Sequence, residues 1–141
     1  VDAEPAEQAS EPAASERRRG TETILVVEDN PSLQRVAERG LTAAGYAVLV
    51  AGSAEEAITV LERADRKIDL IFTDFALPGM SGRELGEWVA RTSPAIRMLY
   101  TSGYTDDALL RTGVLDRSAR FIDKPYTLSG LVAEIRAELD R

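Results

Sequence analysis

With 141 residues, 44% of them hydrophobic, the chain can bury one compact core and has no length for a second domain. The absence of Cys excludes a disulfide framework, a zinc–thiolate site and a thiol nucleophile and points to a reducing compartment, the cytoplasm by default, while the absence of His leaves any covalent phosphate chemistry to Asp, Ser, Thr or Tyr. A net charge of -7, with 17 basic residues scattered apart from Arg17, Arg18 and Arg19, argues against direct nucleic-acid binding, and no apolar run approaches the roughly 20 residues of a bilayer span, so membrane insertion is not expected.

In chain order, residues 1–21 are rich in Ala, Pro and Glu and almost free of large apolar side chains. Such a composition cannot offset the entropy of ordering, so this stretch reads as a flexible linker and residues 22–141 as the folded domain. Strands are predicted at Ile24 to Val27, Ala47 to Ala51, Asp69 to Thr73, Arg97 to Thr101 and Ala119 to Ile122. Between them, helices begin at Asn30 with Pro31 in the first helical position, at Ser53 before Ala54-Glu55-Glu56, and at Ser81 three residues ahead of Glu84. Leu33, Val36, Ala37, Leu41 and Ala44 recur at helical spacing and are expected to form one buried face, as are Leu128, Leu131, Ile135 and Leu139 in the last segment. Thr105 to Arg111 reads as a shorter helix stopped by Gly113.

Five strand–helix alternations with short connections imply a parallel sheet covered on both faces by right-handed crossovers, an α/β flavodoxin-like doubly wound (βα)5 class with strand order 2-1-3-4-5. In such sheets ligands sit at the carboxyl ends of the strands. Here those ends carry Glu28-Asp29, Asp74, Thr101-Ser102 and Lys124-Pro125. Each has a local explanation taken alone: Asp29 and Asn30 can cap a helix, Asp74 ahead of Leu77-Pro78-Gly79 can serve a turn, and Lys124-Pro125 can end a strand. Together they place three carboxylates in one small volume, where mutual repulsion calls for a compensating cation. A hard divalent ion with oxygen ligands, Mg²⁺ or Mn²⁺, fits, and Lys124 adds a point charge suited to a phosphate oxygen.

The segments Ile24-Leu-Val-Val-Glu28-Asp29, Asp74-Phe-Ala-Leu-Pro78-Gly79-Met-Ser-Gly82, Ser102-Gly103-Tyr104 and Phe121-Ile-Asp-Lys124-Pro125 resemble those of response regulator receiver domains. The resemblance covers about Glu22 to Asp140 and is most like the C-terminal receivers of hybrid sensor histidine kinases, with a stand-alone regulator as the alternative. It implies Asp74 as phosphoacceptor, Glu28 and Asp29 as the acidic pair that organises Mg²⁺, and the Ala76 backbone carbonyl as a further ligand. It also implies Lys124 as the phosphate-binding lysine, Ser102 (with Thr101 as the neighbouring option) as the switch hydroxyl, and Phe121 as the aromatic switch. The expected partner is a histidine kinase or histidine phosphotransfer protein, and the isolated domain is expected to be monomeric. A haloacid-dehalogenase-type phosphatase would need a second Asp where Ala76 stands, and a flavodoxin would need a phosphate cradle in place of Glu28-Asp29-Asn30-Pro31.

Overall fold

The computed structural model describes residues 22–64, 67–102, 120–123 and 126–140. In them the chain runs β1 (Thr23–Val27), α1 (Pro31–Ala43), β2 (Ala47–Ala51), α2 (Ala54–Arg63), β3 (Leu70–Asp74), α3 (Gly82–Thr92), β4 (Arg97–Ser102), β5 (Arg120–Asp123) and α4 (Leu128–Leu139). The five strands form one parallel sheet in the order β2-β1-β3-β4-β5, as the alternation predicts. The expected helix at Thr105 to Arg111 lies outside the described residues, as do Gly103, Tyr104, Lys124 and Pro125.

β1 and β3 are buried at every position because helices cover both faces of the sheet, which is why their sequences are continuous apolar runs rather than alternating ones. Alternate residues serve different cores. Ile24, Val26, Leu70, Phe72 and Leu99 meet Ala37 and Leu41 of α1 and Leu131 and Ile135 of α4. On the other face Leu25, Val27 and Ile71 meet Ala54 and Ala57 of α2 and Leu85 and Val89 of α3. Each fully buried Leu or Ile contributes roughly 1.5–3 kcal/mol, so these two layers fix the registers Val27↔Ala51, Val27↔Thr73 and Asp74↔Thr101 that align the strand ends.

Two sequence expectations shift. β3 begins one residue later than predicted: the Asp69 carboxylate accepts the Thr23 N–H at 2.8 Å ahead of the ladder, and Asp74 becomes the last strand residue. The apolar stripe of α1 is also rotated. Leu33 and Val36 are 38% and 48% exposed, while the inward arc is made of Gln34, Ala37 and Leu41. Gln34 occupies that arc because its Nε2 donates to the carbonyls of Glu28 (3.1 Å) and Ala51 (3.3 Å), two acceptors at the ends of neighbouring strands. Leu128, in the first turn of α4, is likewise exposed at its margin and packs over Gly40 of α1.

Candidate functional site

Glu28 is the first residue beyond β1, yet its N–H still donates to the Ala51 carbonyl at 3.0 Å, which extends the ladder and keeps its side chain buried. One carboxylate oxygen accepts the Asn30 N–H at 3.0 Å. The Asn30 side chain in turn accepts the N–H groups of Ser32 (2.9 Å) and Leu33 (3.1 Å), capping α1 with Pro31 in its first turn. These bonds hold the turn in one shape and leave Asp29 exposed within it.

Asp74 is buried at the end of β3. Its carbonyl accepts the Thr73 hydroxyl at 2.9 Å, and the next N–H, of Phe75, donates to the Thr101 carbonyl of β4 at 2.9 Å. The following loop folds straight back, with Gly82 N–H donating to the Phe75 carbonyl at 2.9 Å. Only glycine fits there, since a Cβ at position 82 would overlap the Asp74 carbonyl. Ser81 and Glu84 form a reciprocal capping box at the start of α3, and Glu55 of α2 accepts the Met80 N–H at 3.1 Å. Ala76, two residues past Asp74, is exposed.

The two strand ends bring carboxylate oxygens of Glu28, Asp29 and Asp74 within 4.8 Å of one another. Two of the three residues are buried, so solvent screens their repulsion poorly. An all-oxygen, multiply anionic set of this kind fits a hard divalent cation such as Mg²⁺. Tyr126 is also beside the cluster and was not singled out by sequence. Its ring meets Phe72 edge-on at 5.6 Å, and burial first, then the charges of Glu28 and Asp74, push its phenol up to about 12. Position 126, just past Lys124-Pro125, was its only sequence signal.

Ser102 closes β4 in register with Asp123 of β5. Phe121 stacks on Tyr100 (5.1 Å between centroids, 27°) and lies 5.7 Å from Phe75, so an aromatic trio links β5 to the residue after Asp74. Thr101, in register with Asp74, is 1% exposed, and its hydroxyl has no hydrogen-bond partner among the described residues. Lys124 lies outside the described residues. A groove of about 540 Å³ opens instead among Leu61, Ile68, Trp88 and Ile96, residues at the C-terminal ends of α2 and α3 and before β3 and β4, the opposite edge of the sheet from the carboxylates. Among the described residues, no helix is long and apolar enough to cross a membrane.

The chain matches the family described as response regulator receiver domain over residues 24–136. It is 31% identical over 122 residues to the sensor kinase CckA of Brucella abortus, covering 86% of this chain and 13% of that protein. With the response regulator receiver protein CpdR of the same organism it shares 29% identity, over 82% of this chain and 95% of CpdR. With the phosphate regulon transcriptional regulatory protein PhoB of Pseudomonas aeruginosa it shares 35%, over 84% of this chain and 52% of PhoB, so the chain spans about half of that relative and a small part of CckA. A CheY-like receiver domain protein from Methanospirillum hungatei superposes with a TM-score of 0.71 at 26% identity, covering 84% of this chain and 94% of that one. A receiver domain from Clostridium thermocellum superposes with a TM-score of 0.74 over 85% and 95% of the two chains, a likeness of fold at 24% identity. The flavodoxin-like sheet order, the acidic cluster at its carboxyl edge and this match over most of the sequence lead to one assignment: the chain belongs to the response regulator receiver domain family.

Proposed function

We propose that the chain is the phosphoacceptor of a two-component phosphorelay, with Asp74 taking a phosphoryl group from a phosphohistidine on a histidine kinase or histidine phosphotransfer partner. The observation that carries this reading is the convergence of Glu28, Asp29 and Asp74 within 4.8 Å at the sheet edge, with Asp74 held buried on a rigid strand end. An Asp74 oxygen attacks phosphorus in line; the O–P bond forms, the P–N bond breaks, and its electron pair returns to the partner's imidazole. A divalent cation, when bound by Asp29, Asp74 and the Ala76 carbonyl with Glu28 acting through water, supplies charge neutralisation for the carboxylates and the phosphoryl oxygens.

Lys124 pairs with a remaining phosphoryl oxygen, Ser102 supplies the hydroxyl that reports the loaded state, and Phe121 is the aromatic group that answers it. The stacking of Phe121 on Tyr100 and its approach to Phe75 support that last role, since a change at Asp74 reaches Phe121 through one intervening ring. The site is expected to work in the cytoplasm and with Mg²⁺ or Mn²⁺.

Incubation with acetyl phosphate and Mg²⁺ should add the mass of one phosphoryl group, and Asp74→Asn should abolish the gain. A labelled Asp74→Asn protein would defeat the assignment. For the surrounding protein, the 31% identity to a sensor kinase supports the C-terminal receiver of a hybrid kinase, whereas the near-complete coverage of CpdR favours a stand-alone regulator as the second reading. Sequencing the coding region upstream of Val1 separates them, with a contiguous kinase core as the expected outcome.

A further inference from the structure

The proposed chemistry leaves Gln34 unused, although it is half-buried on the inward arc of α1, one turn past the capping Asn30. Its Nε2 donates to the Glu28 carbonyl at 3.1 Å and to the Ala51 carbonyl at 3.3 Å. Ala51 already accepts the Glu28 N–H at 3.0 Å, so the joint between β1 and β2 holds without the amide. The bond to Glu28 does something else. That carbonyl belongs to the peptide joining Glu28 to Asp29, the two carboxylates that converge on Asp74.

The peptide on the other side of Asp29 is held as well, because the Asn30 N–H donates to a Glu28 carboxylate oxygen at 3.0 Å. The Asn30 carbonyl in turn accepts the Gln34 N–H at 2.9 Å. Glu28, Asn30 and Gln34 thus form a closed ring of three hydrogen bonds about Asp29, each residue bonded to the other two. A peptide group is planar, so fixing its carbonyl also fixes the N–Cα bond that it gives to the next residue. With both flanking peptides held, the backbone sets the direction in which the exposed Asp29 leaves the chain. A small hard cation such as Mg²⁺ demands near-ideal ligand geometry, and it is sensitive to that direction. For packing alone an apolar side chain of similar length would suit an arc whose buried members are Ala37 and Leu41.

We propose that Gln34 is a positioning residue for the acidic pair: by holding the Glu28 carbonyl it fixes the peptide between Glu28 and Asp29, and so raises the affinity of the cluster for a divalent cation. The inference rests on the metal-binding part of the phosphoacceptor reading. Groups that orient a ligand from outside the coordination sphere commonly govern metal affinity in this way.

The test compares the whole chain with Gln34→Met and Gln34→Leu, which keep an apolar stem and remove the donor. Mg²⁺ alone is the probe, titrated by calorimetry, with urea midpoints in metal-free buffer and backbone amide spectra recorded beside it. Both variants should bind Mg²⁺ about tenfold more weakly, the lower end of what losing such an orienting partner costs a metal site. Their metal-free midpoints should stay near that of the wild type, and the amide shifts should concentrate at Glu28, Asp29 and Asn30. A merely structural role would instead lower the midpoints, spread the shifts through β1, β2 and α1, and leave the Mg²⁺ affinity of the folded protein unchanged. Unchanged affinity in either folded variant overturns the proposal, and failure of both variants to fold does so too, by making Gln34 a requirement of the core. A wild-type chain that binds no Mg²⁺ overturns the metal-binding reading and this inference with it.

Discussion

Tyr126 shows how far the charge of the acidic cluster reaches. Its phenol sits at the edge of the core, and burial, then the negative charge of Glu28 and Asp74, favour its neutral form and push it up to about 12. Tyr100 is pushed up to about 12 as well, by burial and then by Glu87. Both protons are held more tightly in the folded chain than at the ordinary value of 10.0. The stability they contribute is thus fully present below pH 10.0 and is lost as pH climbs from there toward about 12. Tyrosinate absorbance checks the cause: Asp74→Asn should lower the Tyr126 step part of the way toward 10.0, since burial remains, and leave the Tyr100 step in place. A Tyr126 step that does not move would mean that Asp74 is not the charge it feels. The convergence of Glu28, Asp29 and Asp74 was legible from sequence because they fall at or just past the carboxyl ends of neighbouring strands in a doubly wound sheet. The burial of Thr101 and the place of Tyr126 were not, because the first shows only once the strand register is fixed and the second depends on how the connection between β5 and α4 folds back on Phe72.

At the scale of elements, the strand pattern was readable since continuous apolar runs bounded by caps leave little choice, and the boundaries erred by one residue, as in β3, which runs to Asp74, and in β5, which runs to Asp123. The rotated stripe of α1 was unreadable for a different reason: nothing in the spacing reveals that Gln34 must satisfy two strand-end carbonyls. Contact between α3 and β4 also depends on a detail that hydrophobic spacing cannot supply. A Cβ on Gly86 would overlap the Tyr100 hydroxyl, so the glycine lets α3 settle on the ring that stacks with Phe121. Gly86→Ala should cost about 1–3 kcal/mol through overpacking, despite the better helix propensity of Ala. In a Tyr100→Phe background, where the clashing oxygen is gone, the same change should be close to neutral or stabilise by up to about 1 kcal/mol. Urea unfolding of the two single variants and the double variant gives the coupling directly, and additivity within about 0.5 kcal/mol would show that the hydroxyl does not set the helix position.

Across the whole molecule, the point where the chain enters the fold is fastened to the helix where it leaves. Arg136 of α4 donates to both Glu22 oxygens (2.9 and 3.4 Å) and pairs with Asp140 at 3.0 Å. It also donates to the Tyr46 hydroxyl at 3.3 Å, with its guanidinium 5.9 Å from that ring. The Arg136 and Glu22 side chains are only 20% and 16% exposed, so the fork-to-carboxylate pair is less screened than a surface ion pair, and the Glu22 bond is the first cause holding the guanidinium proton more tightly than usual. Glu22 precedes β1, whose neighbour β2 begins just beyond Tyr46, so one side chain ties the starts of two adjacent strands to the final helix. Replacing Arg136 with Met keeps much of the stem's packing while leaving Glu22 without its partner, and should destabilise the domain by about 1–3 kcal/mol. If the clamp joins the elements into one cooperative unit, the loss should fall on amide exchange in β1, β2 and α4 together, with α2 and α3, packed on the far face, least affected. Confinement of the lost protection to the last turn of α4 would reduce Arg136 to a local cap. Glu22 is the first described residue ahead of β1, and on the expectation from composition that residues 1–21 are a linker, removing residues 1–20 should leave the urea midpoint unchanged.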